Sequence, residues 1–214
     1  VEAEIREFMQ YDGHVSSELE NQYLVRSLYF DSPLASNFYE KIDGLKTRRK
    51  FRIRTYTKDP DGIAPIFLEV KGRHNQRTYK QRVEIQKENL ELFLDESKWP
   101  VLLEKYPLSP LVESFVYESV RKQIKPRVLV DYLRRPYTSY FDMNFRLTMD
   151  QEISSTPANG LFEDRPNLTR SCVAGWTIIE VKFNRRIPAW FHRILQAHEL
   201  QRVSISKFVL GMKE

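Results

Sequence analysis

The sequence predicts an α+β fold in which an antiparallel β sheet or barrel is covered by flanking helices. About seven segments have the β-branched and aromatic character of strands. Several of them are separated by short turn signals that are typical of hairpins. Helical segments stand between groups of strands and do not alternate with single strands, which argues against a βαβ array.

The N-terminal region predicts a helix, a loop and a strand. Residues 1–10 have the apolar spacing of the end of a short helix. Residues 11–21 are expected to form a loop. The segment QYLVRSLYFD at 22–31 is rich in β-branched and aromatic residues and predicts a strand that ends at Ser32-Pro33. A helical turn is expected at 37–39.

Turn signals connect the next three predicted strands. Asp43-Gly44 leads into a strand at 46–56. The sequence Asp59-Pro60-Asp61-Gly62 is the clearest turn in the chain and predicts a hairpin with a strand at 65–71. A second turn then leads into a strand at 78–86.

The predicted helices are in the middle and near the end of the chain. Short helices are expected at 88–94 and 99–106. A longer helix is expected at 110–122, where apolar residues recur at helical spacing. The last helix is expected at 188–200 and has a proline in its first turn.

The remaining strands are predicted in the second half. A strand at 127–135 is bounded by a proline on each side, and further strands are expected at 144–153 and 177–184. Residues 154–174 contain two prolines and a glycine and predict a long loop. Residues 203–210 are expected to begin as an extended segment.

Composition limits the class of protein. The 214 residues suffice for one large domain, or at most for one domain with a small lobe, and 41% hydrophobic residues can form a core. A net charge of +5 favours an anionic partner without identifying it. The single cysteine, Cys172, excludes an intramolecular disulfide and fits a reducing compartment such as the cytoplasm. No apolar run approaches the roughly 20 residues of a membrane helix.

The strand at 46–56 has a one-sided charge pattern. Successive side chains of a strand point to opposite faces, so five cations share one face while Phe51 and Ile53 lie on the other. Such a row of like charges is repulsive unless an anion or carboxylates neutralise it. A solvated edge strand is the alternative interpretation. The five cations are Lys46, Arg48, Lys50, Arg52 and Arg54.

Other predicted strands show the same division. Lys80 and Arg82 lie opposite Tyr79, and Glu180 and Lys182 lie opposite apolar residues. An ordinary sheet with one wet face would carry more Ser, Thr and Gln on its polar side. If the sheet closes into a barrel with its apolar faces under the helices, the charged faces line a tunnel that binds a polyanion. The pattern favours the tunnel over the wet face.

Motifs spread over almost the whole chain occur in the order found in one protein family. In these motifs the chain resembles the VTC domain, the polyphosphate polymerase branch of the triphosphate tunnel metalloenzymes, a CYTH-like superfamily. The motifs are SLYFDSP at 27–33, KFRIRTY at 50–56, FLEVKG at 67–72, KQR at 80–82, YLR at 132–134, RLTMDQEI at 146–153, IIEVKF at 178–183 and SISKFVLGM at 204–212.

The resemblance implies an antiparallel β-barrel that forms a triphosphate tunnel with flanking helices. It also implies transfer of the γ-phosphoryl of ATP to a growing polyphosphate chain, with Glu180 binding Mn²⁺ or Mg²⁺. The resemblance assigns the catalytic phosphate contacts to Arg52, Arg54, Lys71, Lys80, Arg134, Arg146 and Lys207. It adds Arg82, Tyr132, Lys182 and Ser206 as substrate-binding residues.

The resemblance also sets expectations about the domain and its partners. Residues 1–214 are expected to form a single tunnel domain that lacks the first strand of the family. ATP and inorganic polyphosphate are the expected partners, and a membrane protein that receives the product is a further candidate. A nucleic-acid partner is not expected, because the basic residues alternate along strands and are not interleaved with stacking aromatic residues.

Three alternatives remain open from the residues alone. The same anion site could hydrolyse triphosphate or nucleoside triphosphate if water replaced the growing chain as the attacking group. A catalytically silent domain could simply bind polyphosphate. Glu180 could be an ion-pair partner of Lys182 or of a nearby arginine, and Asp150 and Glu152 could balance charge rather than bind metal.

Overall fold

The structure, a computed structural model, describes residues 1–13, 15 and 19–213. It confirms the predicted α+β class, with an antiparallel sheet and flanking helices. Part of the predicted loop at 11–21 lies outside the described residues. The strands are β1 (Met9–Tyr11), β2 (Tyr23–Asp31), β3 (Thr47–Thr55), β4 (Ile66–His74), β5 (Arg77–Ile85), β6 (Lys125–Ser139), β7 (Arg146–Pro157), β8 (Arg170–Ser171) and β9 (Ile178–Lys182).

The helices are short except in two places. Single 3₁₀ turns occur at Lys87–Asn89, Glu96–Lys98 and Pro166–Leu168. The α-helices are α1 (Glu2–Arg6), α2 (Ser36–Ile42), α3 (Leu90–Leu94), α4 (Trp99–Lys105), α5 (Pro110–Lys122), α6 (Ala189–Ala197) and α7 (Lys207–Met212).

The chain divides into two compact units, each made from separate stretches of sequence. The first unit consists of Val1–Leu24, Tyr132–Ile153 and Val173–Ile205. The second unit consists of Val25–Asp131, Ser154–Cys172 and Ser206–Glu214. Strands β6 and β7 contribute residues to both units.

In the second unit, β5, β4, β3 and β2 follow one another in an antiparallel order. Their apolar faces pack under the helices, and Phe115 of α5 is central to this core. Its ring lies 5.2 Å from that of Phe30 and 5.5 Å from that of Phe51. The N terminus of α5 is capped by Ser109, whose hydroxyl accepts a hydrogen bond from the amide of Val112.

In the first unit, β1 pairs with β6, and β7 pairs with β9. Their apolar side chains pack against α1 and α6 in a second core. Trp190 of α6 stacks on Phe8 at a centroid distance of 4.5 Å and meets the edge of Phe145 at 5.4 Å. The apolar faces of the strands therefore lie under helices in both units, as the alternating pattern predicts.

Two strand boundaries differ from the prediction because proline does not end β6. The strand begins before Pro126 and continues past Pro136 to Ser139. Proline removes one amide donor but keeps its carbonyl, and the carbonyl of Pro136 accepts a hydrogen bond from the amide of Asp12 at 3.1 Å. The helix predicted at 1–10 is also shorter, because residues 9–11 form β1 and pair with the end of β6.

The loop predicted at 154–174 is partly strand. Strand β7 runs on to Pro157, and its residues Ser154 and Ser155 pair with the short strand β8. The hydroxyl groups of Thr156 and Thr169 lie 2.8 Å apart beside this ladder. The pairing partner is distant in sequence, so the local Ser and Thr composition does not reveal the strand.

The sequence predicts that residues 203–210 are extended at first, and no helix forms before Lys207, but the helix α7 over residues 207–212 is not predicted. Packing decides the conformation here, because Phe208 is fully buried and its ring lies 5.3 Å from that of Tyr29 on β2. Gly211 allows a close approach, since a Cβ atom at this position would lie 2.9 Å from Val130 and 3.3 Å from Ser155. Tertiary contacts thus outweigh the β-branched composition of the segment.

Candidate functional site

One face of the second unit carries most of its strand cations. The register aligns Lys50 with Lys71 and Lys80, and Arg52 with Arg82 across an intervening carboxylate. The opposite faces of the same strands form the core, so these long side chains cannot exchange sides without breaking the register. The face, here called the β3–β5 cation face, consists of Arg48, Lys50, Arg52, Arg54, Lys71, Arg73, Lys80 and Arg82.

Glu69 on β4 organises three of these cations. Its carboxylate is almost completely buried and accepts hydrogen bonds from Nε of Arg52 at 2.7 Å. Nζ of Lys80 lies 2.6 Å from the other carboxylate oxygen, and Nε of Arg54 is 3.9 Å away. Burial raises the pKa of Glu69, but the charges of Arg52, Arg54 and Lys80 outweigh it and lower the pKa to about 2.

The structure thus brings together three predicted site residues, Arg52, Arg54 and Lys80, around a carboxylate that was not predicted as a site residue. The alternation in FLEVKG could have pointed to it, because Glu69 falls on the same face as Lys71. Burial lowers the pKa of Lys80 despite its bond to Glu69. The cluster holds its cations in place before any ligand arrives.

The other predicted residues of this face have no such partner. Lys71 and Arg82 form no ion pair with a carboxylate in the described part of the chain. The guanidinium carbon of Arg82 lies 4.8 Å from the centroid of the Phe67 ring, so the charged group itself rests on an aromatic surface, in a cation–π contact. These two cations stay electrostatically unsatisfied beside the Glu69 cluster.

Tyr29, which is buried, and Lys50, which is partly buried, form a second group next to this cluster. Nη1 of Arg52 donates a hydrogen bond to the hydroxyl of Tyr29 at 3.0 Å. Burial raises the pKa of Tyr29, but the positive charges of Arg52, Lys50 and Arg54 together lower it to about 7. Burial lowers the pKa of Lys50 to about 8.

Helix α7 contributes the C-terminal site residues. The hydroxyl of Ser206, at the N-cap of α7, accepts a hydrogen bond from Nζ of Lys50 at 3.1 Å. Lys50 also lies 5.0 Å from the ring of Phe208. Lys207, the first residue of α7, is half-buried. The predicted pair Ser206 and Lys207 is therefore fixed to the cation face through Lys50, whose role was not predicted.

The first unit carries the remaining predicted residues on β6, β7 and β9. Arg134 binds the buried carboxylate of Asp150 through two hydrogen bonds, of 2.7 and 2.8 Å. Burial lowers the pKa of Arg134, but the bond to Asp150 and the neighbouring Tyr132 and Glu180 raise it above its usual range. Asp150 therefore balances a charge, in line with the interpretation offered from the sequence.

Glu180 lies within reach of two cations. Its carboxylate is 3.6 Å from Nη2 of Arg134 and 3.9 Å from Nζ of Lys182. On the paired strands Arg146 stands opposite Lys182, and both are exposed. The structure thus places Arg134, Arg146, Glu180 and Lys182 together, while the ring of Tyr132 lies 5.3 Å from the guanidinium carbon of Arg134.

The acidic side chains of the described residues fit a metal site in which phosphate and water supply most of the ligands. No group of three His, Cys, Asp or Glu side chains that could hold a metal is found among them. Asp150 and Glu69 are occupied by arginine and lysine partners. Glu180 is 43% exposed and its contacts are longer than hydrogen bonds, so its oxygens suit a hard cation whose other ligands are phosphate oxygens and water.

One family model and one solved structure agree with this architecture. The model of the VTC domain family matches residues 1–214. A candidate adenylate cyclase of Bacillus halodurans has a similar fold, with a TM-score of 0.52 and 14% identity over 92% of this chain and 91% of that chain. The PH1819 protein of Pyrococcus horikoshii OT3 gives a TM-score of 0.38 and 17% identity over 90% and 84%. No curated protein matches significantly.

Within the described part of the chain, no helix combines the length and the apolar character that are needed to cross a bilayer.

Proposed function

Because the chain belongs to the VTC domain family, within the CYTH-like triphosphate tunnel superfamily, we propose that it is a polyphosphate polymerase. It transfers the γ-phosphoryl group of ATP to the end of an inorganic polyphosphate chain. The observation that carries this proposal is the β3–β5 cation face. Eight aligned cations share that face with only two carboxylates, Glu69 and Glu84.

Such a face suits a chain of phosphates better than a compact anion. Arginine donates two parallel hydrogen bonds to one phosphate, and lysine supplies a mobile point charge. Arg52 and Arg54 are held by Glu69, so they are ordered before the ligand binds and lose less entropy when it does. Glu69 forms no ion pair with Lys71 or Arg82, so the positive charges of these two residues are available to the phosphates.

The proposed reaction requires positioning more than covalent catalysis. A terminal phosphate oxygen of the chain attacks the γ-phosphorus of ATP, a new P–O–P bridge forms, and the bond to the β-phosphate breaks to release ADP. Phosphoryl transfer of this kind is accelerated by holding the reacting groups in line and by neutralising charge on the transferred oxygens. Arg52, Arg54, Lys71 and Lys80 are the residues proposed to do this in the second unit.

We assign the first unit a metal-binding and phosphate-binding role. Glu180 would hold Mn²⁺ or Mg²⁺ together with phosphate oxygens, and the cation would neutralise charge on them. Arg134 is locked by Asp150 and keeps its remaining donor atoms for phosphate. Arg146 and Lys182 are paired across β7 and β9 and add two exposed charges.

The proposed substrates also suggest where the protein works. ATP and a divalent cation are abundant in the cytoplasm, and the half-buried thiol of Cys172 suits its reducing conditions. A membrane protein that takes up the polymer remains a candidate partner. The substrate assay below does not depend on that partner.

The direct test is incubation with ATP and Mn²⁺ or Mg²⁺, followed by separation of the products on a gel that is stained for polyphosphate. Long polyphosphate chains and an equivalent amount of ADP are expected. The variant Arg52→Gln should make little polymer, while Lys98→Gln, an exposed change outside the cation face, should match the wild type. Release of free phosphate without polymer would instead identify a hydrolase, and the absence of both products would indicate a polyphosphate-binding domain.

A further inference from the structure

The cations of the β3–β5 cation face are distributed unevenly along its strands. The register groups the residues into rungs, each with one residue from β3, β4 and β5. From the turn between β3 and β4 towards the turn between β4 and β5, the rungs are Arg54–Phe67–Glu84, Arg52–Glu69–Arg82, Lys50–Lys71–Lys80 and Arg48–Arg73–Thr78.

Carboxylates occur only in the first two of these rungs. Counted as formal charges, Glu84 equals Arg54 in the first rung, and Glu69 equals one of the two arginines in the second. The third rung contains three lysines and no acid. The fourth contains two arginines and no acid. The formal charges of the four rungs are therefore 0, +1, +3 and +2, so the positive charge that the protein leaves without an acid is concentrated in the half of the face nearer the β4–β5 hairpin.

The two arginines of the last rung are ordered by backbone groups. Arg48 donates a hydrogen bond from Nη1 to the carbonyl of Leu45. Nε of Arg73 donates to the carbonyl of Asn75 at 2.6 Å. Neither arginine forms an ion pair with a carboxylate among the residues that the structure describes. Each guanidinium group is thus held near the hairpin with donor atoms left for an anion.

The spacing of the rungs suits a linear anion. Rungs lie two residues apart, which corresponds to roughly 7 Å along a strand, so the path from Arg52 to Arg48 spans about 14 Å. A chain of linked phosphates that is bound at Arg52 can follow this path and meet a new cation at each rung. In the other direction the next rung offers one cation, Arg54, beside Phe67 and the carboxylate of Glu84.

We propose that the polyphosphate chain extends from the Glu69 cluster towards the β4–β5 hairpin, where Arg48 and Arg73 form a binding subsite for the product chain. The proposal rests on the proposed function and adds a direction to it. Arg48 and Arg73 bind phosphates that lie beyond the first few, so they hold a long chain without contributing to the binding of a short one. The resemblance assigns no role to either residue.

The β4–β5 hairpin of the protein offers a matched pair of variants for the test. Arg73→Gln removes a charge from the cation face, whereas Arg77→Gln removes the same charge from the opposite face of the same hairpin. Arg48→Gln is a second variant on the cation face. Thermal unfolding of all three proteins establishes that each is folded, which is expected because their side chains lie outside both cores.

The measurement is the affinity of the 214-residue protein for tripolyphosphate and for long-chain polyphosphate, without metal or ATP. Arg73→Gln and Arg48→Gln are each expected to weaken long-chain binding by about threefold to tenfold, and to reduce its salt dependence, because fewer phosphates are neutralised. Their affinity for tripolyphosphate should stay within about twofold of the wild type. Arg77→Gln should alter neither affinity.

Three results would overturn the proposal. Equal losses for the short and long ligands would place Arg48 and Arg73 in the substrate site. No loss for the long ligand would remove them from its path. Single-stranded DNA serves as a second polyanion. If the Arg48 and Arg73 variants lost affinity for this DNA but not for polyphosphate, the two residues would belong to a nucleic-acid-binding surface. Because the assay needs no turnover, a length-dependent loss would uphold the subsite even if the protein made no polymer.

Discussion

Arg134 binds Asp150 in a parallel, two-pronged arrangement, with Nε 2.7 Å from Oδ1 and Nη2 2.8 Å from Oδ2. Asp150 is completely buried, and the side chain of Arg134 is 13% exposed. A buried carboxylate of this kind needs its counter-ion, since an unpaired charge in the interior is strongly destabilising. The pair therefore fixes both the fold of the first unit and the position of the guanidinium group.

The first prediction concerns this pair. Asp150→Asn removes the charge that compensates Arg134 and is expected to lower the free energy of unfolding by about 3 kcal/mol. Urea denaturation of wild type and variant measures the change. Glu152→Gln, an exposed change two residues along β7, serves as the control and should stay within about 0.5 kcal/mol of the wild type. Equal effects of the two substitutions would contradict the structural role of the pair.

The second prediction concerns the acid stability that Glu69 provides. Its pKa of about 2 in the folded protein lies below the ordinary value of 4.5, so the carboxylate stabilises the fold above pH 4.5. This contribution, about 3 kcal/mol, is lost as the pH falls from 4.5 to 2. Glu69→Gln should be less stable at neutral pH and lose less stability over that interval.

Stability curves for both proteins between pH 7 and pH 2 measure the effect. Glu84→Gln is the control, because Glu84 is exposed on β5 and the variant should follow the wild-type curve. If the Glu69→Gln protein lost as much stability in acid as the wild type, another carboxylate would be responsible for the acid sensitivity.

The third prediction concerns Tyr29. The charges of Arg52, Lys50 and Arg54 outweigh its burial and lower its pKa to about 7, whereas an ordinary tyrosine ionises near pH 10. A titration followed by phenolate absorbance should show one of the 11 tyrosines ionising near neutral pH. The step should be absent in Tyr29→Phe.

The same titration reports on phosphate binding. Tripolyphosphate bound at Arg52 neutralises the charges that stabilise the phenolate, so the pKa of Tyr29 is expected to rise when the ligand is present. Tyr56→Phe, a change one residue past the end of β3, should leave the step in place. A titration step that persists in Tyr29→Phe would show that a different tyrosine is responsible.

The fourth prediction tests the proposed metal ligand. Glu180→Gln should abolish turnover that depends on Mn²⁺ or Mg²⁺, because the amide is a much weaker ligand for a hard cation than the carboxylate. Chelation with EDTA should have the same effect on the wild type. Glu7→Gln, an exposed change in the first unit, is the control for loss of a negative charge.

The free energy of unfolding distinguishes the two roles considered for Glu180, metal ligand and ion-pair partner. Its distances to Arg134 and Lys182 exceed 3.5 Å, so the loss of these contacts should change the unfolding free energy by less than about 1 kcal/mol. Full activity of Glu180→Gln with metal would leave Glu180 as an ion-pair partner alone.

The strands and their faces could be predicted from the sequence because the signal is local. The turn at 59–62 and the alternation of Phe51 and Ile53 with arginines identify the β3–β4 hairpin and the side that is buried. The helix at 110–122 has both its cap and its apolar spacing within one segment, and its bounds are confirmed. The family resemblance is confirmed by a match over the whole chain.

The features that were missed depend on partners distant in sequence. Helix α7 forms because Phe208 and Gly211 fit against Tyr29 and Val130, which are far away along the chain. Strand β7 is prolonged by its pairing with β8. The role of Glu69 depends on three cations that come from two other strands. Periodicity gives the face of a residue but not the neighbours that determine its charge state.

Gly211 has no side chain that could meet a substrate, yet it controls the distance between the last helix and the strand beneath it. A methyl group at that position would collide with Val130 and push the helix outward, and Ser206 at the helix start would move with it. Lys50 would then lose the hydroxyl that steadies its ammonium group. A descendant of this sequence that enlarges residue 211 would therefore handle phosphate differently, although the altered atom never comes near one.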